Sequence, residues 1–339
     1  MTKRASLSSQ DRLAMVVCGL GFAIISGCKQ DEQISSTKAD CPPSAASLVP
    51  KGGWASAPPQ TEDHGFLWRI EKDGRTSWLY GTAHIAKPGW MRPGPKVREA
   101  LQQSDVIALE VSIETDPTAR QALAGYSSGK AAADVFNKVQ RERLARVLEK
   151  SCLPADVRAK TDQVSLIRQM LLLNLASTQA DGLYAEFGVD WYLAGYARQT
   201  KMPLVGLETA ADQVNSVGYD RSKTLSEKID ETLDKLESEK WRVQAVASAT
   251  AWAQGDLDKL EHYADWCDCL RTSEDQARYE RMTTGRNTGM ARNIERLHTE
   301  GKRVFAAVGA MHMVGSKSVP ALLAEHGFQV TRIPFTARQ

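Results

Sequence analysis

Two of the six histidines in this 339-residue chain share a local pattern, Gly81-Thr82-Ala83-His84 and Gly309-Ala310-Met311-His312. Each Gly-x-x-His follows an apolar, β-prone run: Thr76-Ser77-Trp78-Leu79-Tyr80 before the first, Arg303-Val304-Phe305-Ala306-Ala307-Val308 before the second. Imidazole is a metal ligand and an acid or base near neutral pH. A third candidate is Glu110, which interrupts the apolar run Val106-Ile107-Ala108-Leu109-Glu110-Val111. A buried carboxylate is costly unless it is paired or bound to metal. Glu208 closes a further short apolar run, Pro203-Leu204-Val205-Gly206-Leu207. In an open parallel sheet, ligands and catalytic groups gather outside the carboxyl ends of the strands. These four residues are therefore candidates for one site. Gly81 and Gly309 suit a tight turn and close backbone approach. The competing readings are structural. Each histidine would be a satisfied turn residue or a buried ring bonded to backbone. Glu110 would pair with an arginine, for which Arg332 holds the matching place in the second unit.

The elements that must position these groups occur twice. Phe66–Ile70 and Thr76–Tyr80 flank Lys72-Asp73-Gly74-Arg75, the signature of a hairpin. The second run enters Gly81–His84, then a Pro/Gly-rich loop, a short helix over Lys96–Gln103 and the buried strand at Val106–Val111. The C-terminal part repeats the order: strand Arg303–Val308, Gly309–His312, helix Val319–Glu325, strand Phe328–Ile333. The expected fold class is α/β, a central, mostly parallel sheet built from two βαβ units, each carrying a Gly-x-x-His turn. Stretches 117–185 and 210–300 are rich in Ala, Leu, Glu, Lys, Gln and Arg at helical spacing, so a large helical insertion is expected at about 114–300.

The N-terminus reads as an address. Lys3, Arg4 and Arg12 precede an apolar stretch from Leu13 to Ile25, shorter than the ~20 residues that span a bilayer. It ends in Ile25-Ser26-Gly27-Cys28, which resembles a bacterial lipobox. The expectation is a lipoprotein signal peptide over 1–27, lipidated Cys28, and an anchor and tether over 28–64. The α/β domain would follow over 65–339. Lys29 after the cysteine favours the outer membrane, facing the periplasm. The whole chain carries 43 Lys+Arg and 41 Asp+Glu. Without residues 1–27 the balance is zero, which leaves no field to attract nucleic acid. With 42% hydrophobic and 25% charged residues, the composition excludes a disordered or multi-pass membrane chain.

Cys41, Cys152, Cys267 and Cys269 remain after processing. An oxidising compartment suggests one or two disulfides, with three full pairings open. A zinc site at Cys267-x-Cys269 lacks a second cysteine pair. Gly125-Tyr126-Ser127-Ser128-Gly129 has the letters of a nucleophile elbow but no strand ahead of it. The run Lys223–Lys240 is expected to be a solvated helix face. Trp252, Tyr263 and Trp266 are expected to pack, with a substrate groove as the alternative. His64, His262, His298 and His326 lack the glycine and strand context and are expected at the surface.

The segments Trp78–His84, Ala108–Val111, Gly188-Val189-Asp190, Gly206-Leu207-Glu208-Thr209, Arg286-Asn287 and Val308–His312 resemble the TraB/GumN family, which includes the Tiki proteases. The resemblance covers about residues 66–334 and implies an EreA/ChaN-like fold. It implies a metal-dependent peptidase acting on a peptide or protein substrate, with His84, Glu110 and His312 as ligands of a divalent metal, for which imidazole plus carboxylate without thiolate suits Mn, Co, Fe or Zn. Glu110 or Glu208 would take the proton from water, and Arg286 would stabilise the oxyanion. Asp190 and Asn287 would support the ligands or touch substrate. A haem-, iron- or peptide-binding lipoprotein without catalysis is the alternative.

Overall fold

A computed structural model describes residues 41–119, 121–122, 135–216 and 224–335. The signal segment, Cys28 and the 125–129 motif lie outside the described residues. Six strands form one sheet: β1 (Phe66–Lys72), β2 (Arg75–Thr82), β3 (Val106–Leu109), β4 (Leu204–Gly206), β5 (Val304–Gly309) and β6 (Gln329–Ile333). Their order is β4-β3-β5-β2-β1-β6. β2, β5, β3 and β4 pair in parallel, while β1 runs antiparallel to both β2 and β6. The α/β class and the helical insertion are as the sequence implies.

The two units interlock. β2 and β3, the strands of the first, flank β5, which opens the second. The β1–β2 hairpin then separates β5 from β6. Asp73 and Gly74, both at positive φ, make the hairpin turn, as the Asp-Gly pair predicts. β5 is buried along its whole length and β3 likewise, because helices cover both faces of the sheet.

Those helices come from across the chain. α1 (Pro95–Gln102) buries Val97, Ala100 and Leu101. A second core under the insertion joins α2 (Lys138–Lys150), α3 (Leu166–Ser177) and α6 (Leu225–Glu237) through Leu144, Leu173, Ile229 and Leu233. α4 (Val189–Thr200) lies on the sheet through Val189, Leu193 and Ala197. α5 (Ala210–Ser216) follows β4. α7 (Lys240–Gln254), α8 (Leu257–Glu261) and α9 (Ser273–Met282) lead to α10 (Thr284–Thr299), which packs Met290, Ala291, Ile294 and Leu297 onto the sheet. α11 (Val319–Glu325) closes the second unit. The insertion thus does two jobs: α4 and α10 are sheet layers, whereas α2, α3 and α6 build a core of their own. Within the Lys223–Lys240 run, α6 turns Ile229 and Leu233 inward, while its outer Asp234 and Glu237 pair with Arg143.

Residues 41–64 pack against this domain. Ala45 is buried, and Trp54 meets Phe187 edge-on with centroids 5.7 Å apart. The Asp63 carboxylate accepts from the amides of Lys96 and Val97, each at 3.0 Å. It thereby satisfies the start of α1, whose own N-cap, Gly94, has no side chain to do so. Disulfides join Cys41 to Cys152 and Cys267 to Cys269.

Two histidines expected at the surface are buried instead. His64 Nδ1 lies 2.9 Å from the Ala253 carbonyl. His298 lies between the Ser77 hydroxyl, 2.8 Å from Nδ1, and the Lys72 carbonyl, 3.0 Å from Nε2. Their partners are remote in sequence, so no local pattern marks them. His262 is exposed and His326 half-buried.

Candidate active site

The β2–β5 register sets Gly81 opposite Val308 and Thr82 opposite Gly309, so both Gly-x-x-His turns leave adjacent parallel strands at one level. β3 ends on the other side of β5, with Leu109 opposite Ala307, and Glu110 follows directly. His84 Nε2 and His312 Nε2 lie 3.8 and 3.7 Å from the same atom, Glu110 Oε1.

Each ring is held from behind. The Asp190 carboxylate lies 2.8 Å from His84 Nδ1 and also accepts from the Thr82 hydroxyl at 2.9 Å. Asp190 stands in the first turn of α4. Asn287 Oδ1 lies 2.5 Å from His312 Nδ1, and its amide donates to the Lys317 carbonyl at 2.7 Å. With both Nδ1 atoms engaged, both Nε2 atoms are turned toward Glu110.

Glu110 is only 5% exposed and is fully partnered. Oε1 accepts from the Gly309 amide at 2.6 Å. Oε2 accepts from Arg286 at 2.6 Å and from Gln213 at 3.1 Å. Gln213, on α5, carries no sequence signature. Arg286 also bonds both oxygens of Glu208, at 3.0 Å to Oε2, and donates to the Met282 carbonyl at 2.7 Å. The arginine opposite Glu110 is thus Arg286. Arg332 instead donates to the Gly255 carbonyl, since β6 lies at the far edge of the sheet. Glu208 sits behind Arg286 and does not line the cavity described below.

Gly309 is required by space. A Cβ there would stand 3.0 Å from His84 Nε2 and 3.1 Å from Glu110 Oε1. Its φ of −54° demands no glycine. Gly81 is tight as well, because a Cβ would meet Met313 and Phe66 at 3.1 and 3.2 Å.

The charges divide the two rings. Burial pulls His84 down, but the Asp190 carboxylate outweighs it and the ring rises to about 9. Burial lowers His312 to about 4, and the Glu110 charge offsets only part of this. Burial raises Glu110, yet His312, Arg286 and His84 together hold it well below the usual carboxylate range. Burial lifts Glu208 to about 7 against the pull of Arg286.

The group opens onto a cavity of about 440 Å³ lined by His84, Glu110, Arg286 and His312 at one end. Glu110 is the one carboxylate on its wall among the described residues. Trp252 is part of this wall, fully buried, and its indole N–H donates to the Gly81 carbonyl at 2.6 Å. Tyr263 and Trp266 pack on each other, centroids 5.0 Å apart, away from it. Among the described residues no group of three or more His, Cys, Asp or Glu side chains is arranged, as it stands, to hold a metal ion.

An α/β sheet with paired Gly-x-x-His turns meeting a strand-end glutamate defines the class of protein. The TraB/PrgY/gumN family pattern matches residues 66–332, and the chain belongs to that family. It is 25% identical over 321 residues to Metalloprotease TIKI1 of Danio rerio, a match covering 81% of this chain and 64% of that protein. The chain thus spans less than two thirds of that relative's length. It is 24% identical over 250 residues to the uncharacterized protein YbaP of Shigella flexneri, covering 74% of this chain and 88% of the relative. Against YbaP of Escherichia coli (strain K12) it is 23% identical over 246 residues, covering 72% and 86%. No solved structure matches this chain.

Proposed function

We propose that this chain is a metal-dependent hydrolase that cleaves peptide bonds. The observation that carries the reading is the approach of His84 Nε2 and His312 Nε2 to one oxygen of Glu110 at the head of a cavity. The naming of a distant relative as a metalloprotease supports it.

The donor chemistry fits a divalent ion, Mn, Co, Fe or Zn. Both rings have Nδ1 tied to an oxygen acceptor, the arrangement that orients metal-bound imidazoles. The space that a Cβ on Gly309 would fill is bounded by the same two ligand atoms. His84, Glu110 and His312 would hold the ion, which when bound supplies Lewis acidity and lowers the pKa of water. Asp190 and Asn287 fix the rings. Gly309 and Gln213 fix the carboxylate. Arg286 keeps Glu110 charged and also binds Glu208, and its commitment to both of them leaves little of it free for an oxyanion. In the overall reaction water adds across the amide: hydroxyl to the carbonyl carbon and a proton to the departing nitrogen.

Export and anchoring complete the proposal. Lipidated Cys28 would tether the domain to the outer membrane, facing the periplasm, within reach of peptide and protein substrates. Among the described residues no helix is long and apolar enough to cross a membrane. Palmitate labelling of the full chain and of Cys28→Ala tests the anchor.

The enzymatic test is cleavage of a peptide library by the purified chain, chelated and then reloaded with each metal. Activity that returns with metal and is lost in His84→Ala and His312→Ala supports the proposal. Cleavage that survives both substitutions and chelation overturns it. A Soret band on haem addition, without cleavage, would replace it with a binding function.

A further inference from the structure

Away from the charged end the cavity is mostly apolar, and its far wall comes from the helical insertion. On α7, Trp241, Ala245, Ser248, Ala249 and Trp252 all line it. Their spacing puts them on one helical face. Leu171 and Leu175, one turn apart on α3, add a second face. The wall is tied to the reacting end, because Trp252 at the inner end of α7 bonds the Gly81 carbonyl, three residues before His84. Trp241 at the outer end is only partly buried. A volume of about 440 Å³ is within the ~300–1,000 Å³ of small-ligand sites. Mostly apolar walls with the charged groups at one end fix a ligand's orientation: polar bond toward the charges, apolar group into the pocket.

We infer that the α7–α3 wall is a specificity pocket for a bulky apolar side chain, Leu, Met or Phe, adjoining the scissile bond. The inference rests on the hydrolase reading of the same site. It assigns the substrate class to the insertion and the chemistry to the sheet edge. Ala245 is the position where added volume enters the pocket with least disturbance, being partly exposed on a helix. One methylene more or less in such a pocket changes discrimination by ~10–200-fold.

The test uses matched peptides that differ only in the side chain beside the cleaved bond: Phe, Leu, Ala, Ser, Asp and Lys. Wild type is expected to favour Phe or Leu over Ala by at least ~10-fold in kcat/KM, and over Asp or Lys by more. Ala245→Phe is expected to reverse the order of Phe and Ala. Trp241→Ala, which widens the pocket, should relax the preference, and it stands in if Ala245→Phe does not fold by circular dichroism. Cleavage without side-chain preference, or a preference that neither variant moves, overturns the pocket. If no peptide is cleaved with any metal, the hydrolase reading fails and the pocket is judged by binding alone. Tryptophan fluorescence would then titrate the Phe and Asp peptides onto wild type and the variants. Binding of Phe over Asp that Ala245→Phe weakens ~10-fold retains the pocket; equal or absent binding removes it.

Discussion

The Gly309 amide donates to Glu110 Oε1 at 2.6 Å across neighbouring strands, and the same glycine leaves the gap into which His84 Nε2 points. Backbone and missing side chain thus act together. Gly309→Ala is expected to displace His84 and Glu110 by a few tenths of an ångström and to cut activity by up to ~100-fold, the cost of a full ångström of misplacement. Its effect on stability should be the ~1–3 kcal/mol of an overpacked core. Gly289→Ala is the control: that helical glycine faces open space and should gain ~0.5–1 kcal/mol. Cleavage assays and urea unfolding on the pair check both.

Asp190→Asn keeps the shape behind His84 but removes the charge that raises its ring. Metal affinity is expected to fall ~10–100-fold, with the fold intact. Isothermal titration with Zn²⁺ and Mn²⁺ reads the change. An unaltered affinity would show that His84 is not a ligand.

Arg286 neutralises two buried carboxylates at once, and its side chain is 13% exposed. Arg286→Met should cost ~3–5 kcal/mol, because the buried charge of Glu110 loses its partner and Glu208 loses its hydrogen bonds. Adding Glu208→Gln should recover part of that loss, since only Glu110 would then remain unpaired by charge. A double-mutant cycle by urea denaturation measures the coupling. Purely additive losses would contradict the shared guanidinium.

Much of this site is visible along the chain because its parts have local signatures. A Gly-x-x-His after an apolar run and a glutamate within one can be read without a structure, and Asp190 and Asn287 are read through family resemblance. Gln213 cannot be, because a glutamine on a short helix becomes significant only when β3 lies beside α5. Arg332 was the expected partner for Glu110 by symmetry between the units. The symmetry ends where the hairpin carries β6 to the sheet edge, and Arg286 takes the place from α10. Glu208 lies two residues past the end of β4, near where its run predicts, but its direction depends on Arg286, and that turns it behind the cavity. His64 and His298 are buried by the Ala253 carbonyl and the Ser77 hydroxyl, contacts that no spacing rule connects.

Glu208 gives the stability of the chain a dependence on pH. Burial lifts its carboxyl to about 7 in the fold, from an ordinary value of 4.5. The folded state therefore holds a proton between those values that the unfolded chain has released. Its contribution is complete below pH 4.5, declines as pH rises toward 7 and is flat above. Glu208→Gln should remove that slope, changing the pH 4.5-to-7 difference by on the order of 3 kcal/mol. Urea midpoints at half-unit intervals of pH, on metal-free protein, test it. A variant with an unchanged slope would place the titration elsewhere.

The Cys41–Cys152 bridge closes a loop of 111 residues between the segment before β1 and the insertion. By chain entropy alone, a loop of that size stabilises the fold by ~4–5 kcal/mol. Cys41→Ser with Cys152→Ser should lower the urea midpoint accordingly, and reduction of the wild type should lower it as far. The cleavage rate at 25 °C should hold, because neither cysteine lines the cavity. The Cys267–Cys269 bridge encloses a single residue, so on the same argument its removal should shift the midpoint far less. Equal shifts for the two bridges would show that loop entropy is not what the long one contributes.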